Sequence, residues 1–149
     1  MIDPISVIST ISAGLNVVDK FTDIVRKLRR EAPKQHSVQA SQEGADLVIR
    51  RDGAVAETVS TGRVHLNEWD ETRYQALETK VKALWGQFNA LDAQLPTLSI
   101  DERVRIEQKM EMMRQELCSN FQQMIRLYEK TLGINLGDHF SLYDTCEAQ

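Results

Sequence analysis

Few side chains in this sequence are equipped for chemistry. His36, His65 and His139 are its histidines, Cys118 and Cys146 its cysteines, and the carboxylates around them are scattered. Acid-base or nucleophilic catalysis needs such groups converging in a pocket, and a zinc site needs them at short paired spacings. Neither pattern is present. His36 falls in a polar stretch and His65 at the end of an expected strand. Cys118 sits beside a core leucine on a heptad helix, where an inert buried thiol is expected. The run Gly137-Asp138-His139-Phe140-Ser141-Leu142-Tyr143-Asp144-Thr145-Cys146 collects ligand-type groups without paired spacing. A small enzyme or metal protein using His139 and Cys146 is therefore the third functional reading. No catalytic, metal-binding or cofactor-binding residue is assigned, and no enzyme activity is expected.

No Gly-x-x-x-x-Gly-Lys or Gly-x-Gly-x-x-Gly occurs, and the seven glycines are dispersed among turns and helix ends, so no loop can cradle a phosphate. Arg50-Arg51 and the Arg26 to Arg30 cluster have no aromatic platform beside them, and the formal net charge is -4, so no nucleic-acid partner is expected. Cys118 and Cys146 are 28 residues apart with no Cys-x-x-Cys, which predicts reduced thiols. A hydrophobic fraction of 42% with 27% charged residues excludes wholesale disorder and a polytopic membrane protein. The apolar run from Ile5 to Val18 follows Asp3 rather than a positive charge and is broken by serines, which argues against a secretory signal, and it is too short for an ordinary transmembrane helix. The expected location is cytoplasmic, with a peripheral position on a membrane as the alternative.

The elements that would carry these residues follow from periodicity. Asp3 before Pro4 is a helix start, a carboxylate cap with proline at the first helical position. From there Ile5, Ile8, Ile11, Leu15, Val18, Val25 and Leu28 recur at helical spacing, widened by Ile2, Val7, Val17, Phe21 and Ile24. Pro33 is expected to stop this helix. Residues 32–45 are polar, aperiodic and read as a linker. Two β-leaning runs, 46–51 and 54–60, flank Asp52-Gly53, a hairpin turn signal, and 63–66 could add a short third strand. Asn67 with Asp70 resembles a capping box. Tyr74, Leu77, Val81, Leu84, Phe88, Leu91 and Leu95 then repeat 3-4-3-4 without error up to Pro96. Ser99 to Glu102 is a second capping box, and Ile106, Met110, Met113, Leu117, Phe121, Met124 and Tyr128 form the next stripe, ending near Gly133. Two such helices joined by a short proline turn must lie antiparallel to bury their stripes, with the tail from Ile134 to Cys146 folding back on them. Trp69 and Trp85, off the strict seam, are expected to cover the β-hairpin or the first helix. Met112 falls off the stripe.

The leader Met1-Ile2-Asp3-Pro4-Ile5-Ser6-Val7-Ile8, followed by Ile11-Ser12-Ala13-Gly14-Leu15, resembles the leader helix of HeLo-like and related N-terminal domains of fungal STAND-type immune receptors. The resemblance covers about residues 1–28. It implies a helical bundle that oligomerises and can attack membranes.

The architecture expected is α+β, mainly α: an N-terminal amphipathic helix over 1–31, a polar linker over 32–45, then 46–149 as a small β-hairpin plus a long antiparallel αα-hairpin with a folded-back tail, bundle-like or coiled-coil-like. The leading functional reading is a non-enzymatic protein-interaction or assembly module, a homo-oligomer with a further unidentified protein partner. Phe21, Ile24 and Leu28 are its expected contact residues, as the exposed remainder of the helical stripes. The alternative is a membrane-acting effector that inserts Ile5, Ile8, Ile11, Leu15 and Val18. A first helix packed as the third member of a bundle is the competing structural reading of the same residues.

Overall fold

The computed structural model describes residues 3–33, 36–137, 139–140 and 142–147. Met1, Ile2, Asp138 and Ser141, named above, lie outside them, as does the side chain of Tyr143. Within them the fold is α+β and mainly α: α1 (Pro4–Leu28), β1 (Val38–Glu43), β2 (Asp46–Arg51), β3 (Ala54–Ser60), α2 (Glu68–Gln94), α3 (Ile100–Leu132) and α4 (Leu142–Cys146).

Helix α1 begins as its sequence dictates. The Asp3 carboxylate accepts from the amides of Ile5 and Ser6, each at 3.0 Å, and from the Ser6 hydroxyl at 2.7 Å. These bonds, the hydroxyl's first, hold the Asp3 carboxyl below the ordinary carboxylate range. The cap is therefore complete at neutral pH and is lost as pH falls through that lowered value. The helix stops ahead of Pro33, because Arg30 adopts a left-handed φ of 55°. Arg30 then donates its amide to Lys27 and Glu31 its amide to Arg26, closing a Schellman motif with arginine in the usual glycine position.

The expected hairpin is present, with Asp52 at φ 54° and Gly53 at φ 83° in the turn, the positive pair that a two-residue connection of matching twist requires. The sheet has a third strand, but not the expected one. Residues 61–63 form a 3-10 turn, and it is the former linker that supplies β1, antiparallel to β2 with Val38 opposite Arg51 and Glu43 opposite Asp46. The strand order is β1-β2-β3. Val38 and Ala40 turn inward with Leu47, Ile49 and Val59, so this polar segment is half-buried by alternation rather than by composition.

The outer edge of β1 is closed by a side chain. Asn16 of α1 donates to the Ala40 carbonyl at 2.8 Å and accepts from the Ala40 amide at 2.9 Å, standing in for a neighbouring strand. Asn16→Ala is expected to destabilise the protein by about 1 kcal/mol, since two partly buried backbone groups lose their partner. Urea unfolding measures this, and faster hydrogen exchange at the Ala40 amide should accompany it.

Helices α2 and α3 form the expected antiparallel hairpin, capped by Asn67, which accepts from the Asp70 amide, and by Ser99, which accepts from that of Glu102. Gly133 ends α3 at φ 69°. Glu129 then takes the amide of Leu136 at 2.9 Å, and the tail turns back, burying Leu136, Phe140 and Leu142. Helix α1 packs against β1 and β2 on one flank and against α3 and α4 on another. Phe21 sits where the three long helices meet, its ring centroid 5.4 Å from Phe88 and 4.9 Å from Phe121. The first helix is thus part of the core and not a separate unit preceding a linker.

Candidate functional site

The burial of α1 decides where its predicted contact residues lie. Phe21 and Ile24 are core residues, which corrects the expectation that they remain exposed; only Leu28 is partly accessible. The stripe in which Phe21 and Ile24 fall has no uncovered remainder there, because the hairpin and α1 satisfy each other. Of the residues expected to enter a membrane, Ile8, Ile11, Leu15 and Val18 are fully buried and Ile5 alone is 51% exposed. Among the described residues no helix is long and apolar enough to cross a membrane.

The groups singled out for chemistry are dispersed. His36 pairs through Nδ1 with Asp52 Oδ2 at 2.6 Å, tying the entry of β1 to the hairpin turn, and this bond first, then the Ser37 amide, keeps the Asp52 carboxyl low. His65 is exposed, and its backbone amide bonds to the Thr131 carbonyl. His139 faces Glu57 of β3, Nε2 to Oε1 3.6 Å. Cys118 and Cys146 are joined by a disulfide, which corrects the expectation of reduced thiols. The folded-back tail brings their Cα atoms to 5.5 Å, a geometry that a separation of 28 residues does not reveal. His139 and Cys146 thus have separate partners, and among the described residues no three potential metal ligands gather.

Two other constellations stand out. The first is polar and surrounds the disulfide. Arg114 is buried and binds Glu111 Oε1 through Nε at 2.8 Å and Nη2 at 2.7 Å. Its Nη1 lies 3.8 Å from Cys118 Sγ and 3.4 Å from the Thr145 carbonyl, which also accepts from Arg29 at 3.1 Å. The sequence carries a signal for this residue: Met110, Arg114 and Leu117 follow core spacing, so a charge occupies an inward position.

The second is apolar and lies at the turn end of the hairpin. Leu28 and Leu95 line a groove of about 420 Å³ with Ile100, 81% exposed, and Val104, 48% exposed. Arg103 and Glu107 stand at its rim on α3, 3.7 Å apart, with Lys27 and Arg30 across from them. Ile100 and Val104 are spaced by four on a flank of α3 separate from the stripe, and that pairing, off the core period, is the signal the sequence carries for this surface. Leu28 is the one expected contact residue on this surface. Elsewhere Met112 is exposed, as its position off the stripe predicts. Trp85 stacks near Phe88 with Lys20 of α1 6.0 Å over its ring, covering the first helix as expected, whereas Trp69 is 80% exposed and covers nothing. No protein-family model matches this chain, nor does any curated protein or solved structure.

Proposed function

We propose that the protein is a non-enzymatic assembly module that self-associates through the groove at the turn end of its αα-hairpin. The observation that carries this reading is the contiguous apolar surface of Leu28, Leu95, Ile100 and Val104, framed by charge. Exposed apolar patches with polar rims are what protein contacts bury. The occupant is a second copy, because the surface is self-complementary: Arg103 and Glu107 flank Val104 on one helix face. An antiparallel two-fold pairing of α3 with its mate, centred near Arg105, sets each Arg103 opposite the mate's Glu107 and brings the two Val104 side chains together, with Ile100 at the outer edge of the seam.

Light scattering on the purified chain tests this. The wild type is expected to run above monomer mass and Ile100→Asp to run as a monomer with unchanged helical circular dichroism. Arg103→Glu alone should also weaken assembly, by placing like charges together, and adding Glu107→Arg should restore it. A wild type that stays monomeric at high concentration, or a double variant no better than the single one, defeats the proposal.

A further inference from the structure

We propose that the Cys118–Cys146 disulfide is a redox-active latch on the C-terminal segment, with Arg114 as the positioning residue that makes Cys118 the leaving sulfur. A guanidinium buried beside a disulfide gains only a weak hydrogen bond from the neutral sulfur, whereas it strongly stabilises the thiolate formed when the bond opens. Arg114 Nη1 is 3.8 Å from Cys118 Sγ, and Arg114 and Cys118 are both buried, so water screens their interaction little. Cys146 is the more accessible of the two sulfur residues. The charges around them are Arg114 and Glu111 on α3, Arg29 at the end of α1, and the exposed Asp144 and Glu147 beside Cys146.

The reaction is thiol–disulfide exchange with a dithiol. One thiolate of the dithiol attacks Cys146 Sγ, the Cys118–Cys146 bond breaks, and its electron pair leaves on Cys118 Sγ beside Arg114. The dithiol's second thiol, deprotonated, then displaces Cys146 as thiolate, which takes up a proton; the dithiol ends as a disulfide, having given up two electrons. What the bond restrains is specific. Helix α4 packs on both α1 and α3, and its Thr145 carbonyl, one residue before Cys146, is held by Arg29 and Arg114. Reduction removes the one covalent cross-link among the described residues between the tail and α3, leaving hydrogen bonds such as those to Thr145 and Leu136 and the burial of Leu136, Phe140 and Leu142 to hold the tail.

The full chain is equilibrated with graded ratios of reduced and oxidised dithiothreitol, alkylated and weighed by mass spectrometry. In parallel the pH dependence of Cys118 alkylation is followed in the Cys146→Ser chain. The Cys118 midpoint is expected below the ordinary thiol value of about 8.5. Arg114→Gln should raise that midpoint and, at a pH above both midpoints, shift the reduction equilibrium toward the disulfide by about one decade per unit of thiol pKa, the shift fading as pH falls below them. Arg114→Lys should keep most of the effect. Arg29→Gln, which removes a bond to Thr145 and none to sulfur, should loosen the tail without moving the midpoint. Hydrogen exchange over 142–147 should quicken on reduction while the α2–α3 hairpin stays protected. A midpoint at or above the ordinary value overturns the proposal whether or not the Arg114 variants fold, and so does tail exchange that is indifferent to reduction.

Discussion

Phe21→Ala is expected to lower the unfolding free energy by about 3–5 kcal/mol, the range for truncating a fully buried aromatic residue. The ring touches both Phe88 and Phe121, so its loss opens a cavity at the point where α1, α2 and α3 converge. These rings come from three different helices, and no single segment can move in to refill the space without leaving its own contacts. A domain of this size has about 5–15 kcal/mol in total, so the variant should be folded only marginally, with its urea midpoint far below that of the wild type. The measurement also separates two views of α1. If Phe21 were a surface contact residue, alanine would change assembly and spare stability; the buried position predicts the reverse order, with any change in assembly following from unfolding.

Gly14→Ala carries the second large effect, and its sign depends on a hydroxyl. In an isolated helix the substitution would gain about 1 kcal/mol. Here a Cβ at position 14 would lie 2.5 Å from Tyr128 Oη, 3.3 Å from its Cζ and 3.4 Å from Met124 Cε. Tyr128 cannot swing away freely: its ring is buried against Tyr74, centroids 6.0 Å apart, and burial pushes both phenols well above their ordinary pKa. Overpacking of this kind costs about 1–3 kcal/mol, so the net result is a loss of up to about 2 kcal/mol. In a Tyr128→Phe background the nearest clash is gone and Gly14→Ala should become stabilising by up to about 1 kcal/mol. Urea unfolding of the four chains in this cycle gives the coupling directly, and additivity of the two substitutions would remove Gly14 from the packing account.

Where the sequence is periodic it announces its structure. The 3-4 spacing from Tyr74 to Leu95, the caps at Asp3, Asn67 and Ser99, and the Asp52-Gly53 turn are local signals, each read correctly because the interaction that selects it lies within a few residues. What was illegible depends on contacts distant in the chain. Strand β1 contains Gln39, Ser41 and Gln42, and only its pairing with β2 and the Asn16 amide on its outer edge make it a strand. The disulfide depends on how sharply the tail reverses after Gly133, a matter settled by Glu129 and by the burial of Leu136. For α1 the pattern revealed a broad apolar face, but a face that broad suits a helix packed on two sides as well as one left free. The open groove escaped for the opposite reason: Ile100 and Val104 are ordinary residues on a helix, and exposure is a property of what fails to cover them.

The placement of Phe21 has a consequence for biosynthesis. Its partner Phe121 lies a hundred residues further along the chain, and Phe88 most of that distance. During translation the apolar face of α1 therefore emerges well before either helix that buries it, and the sheet offers cover for one flank alone. At ordinary elongation rates of about 5–20 residues per second, that face waits for several seconds. A nascent chain of this design presents a greasy helix to whatever stands near the ribosome exit, and that helix joins its core only once α3 has followed it out.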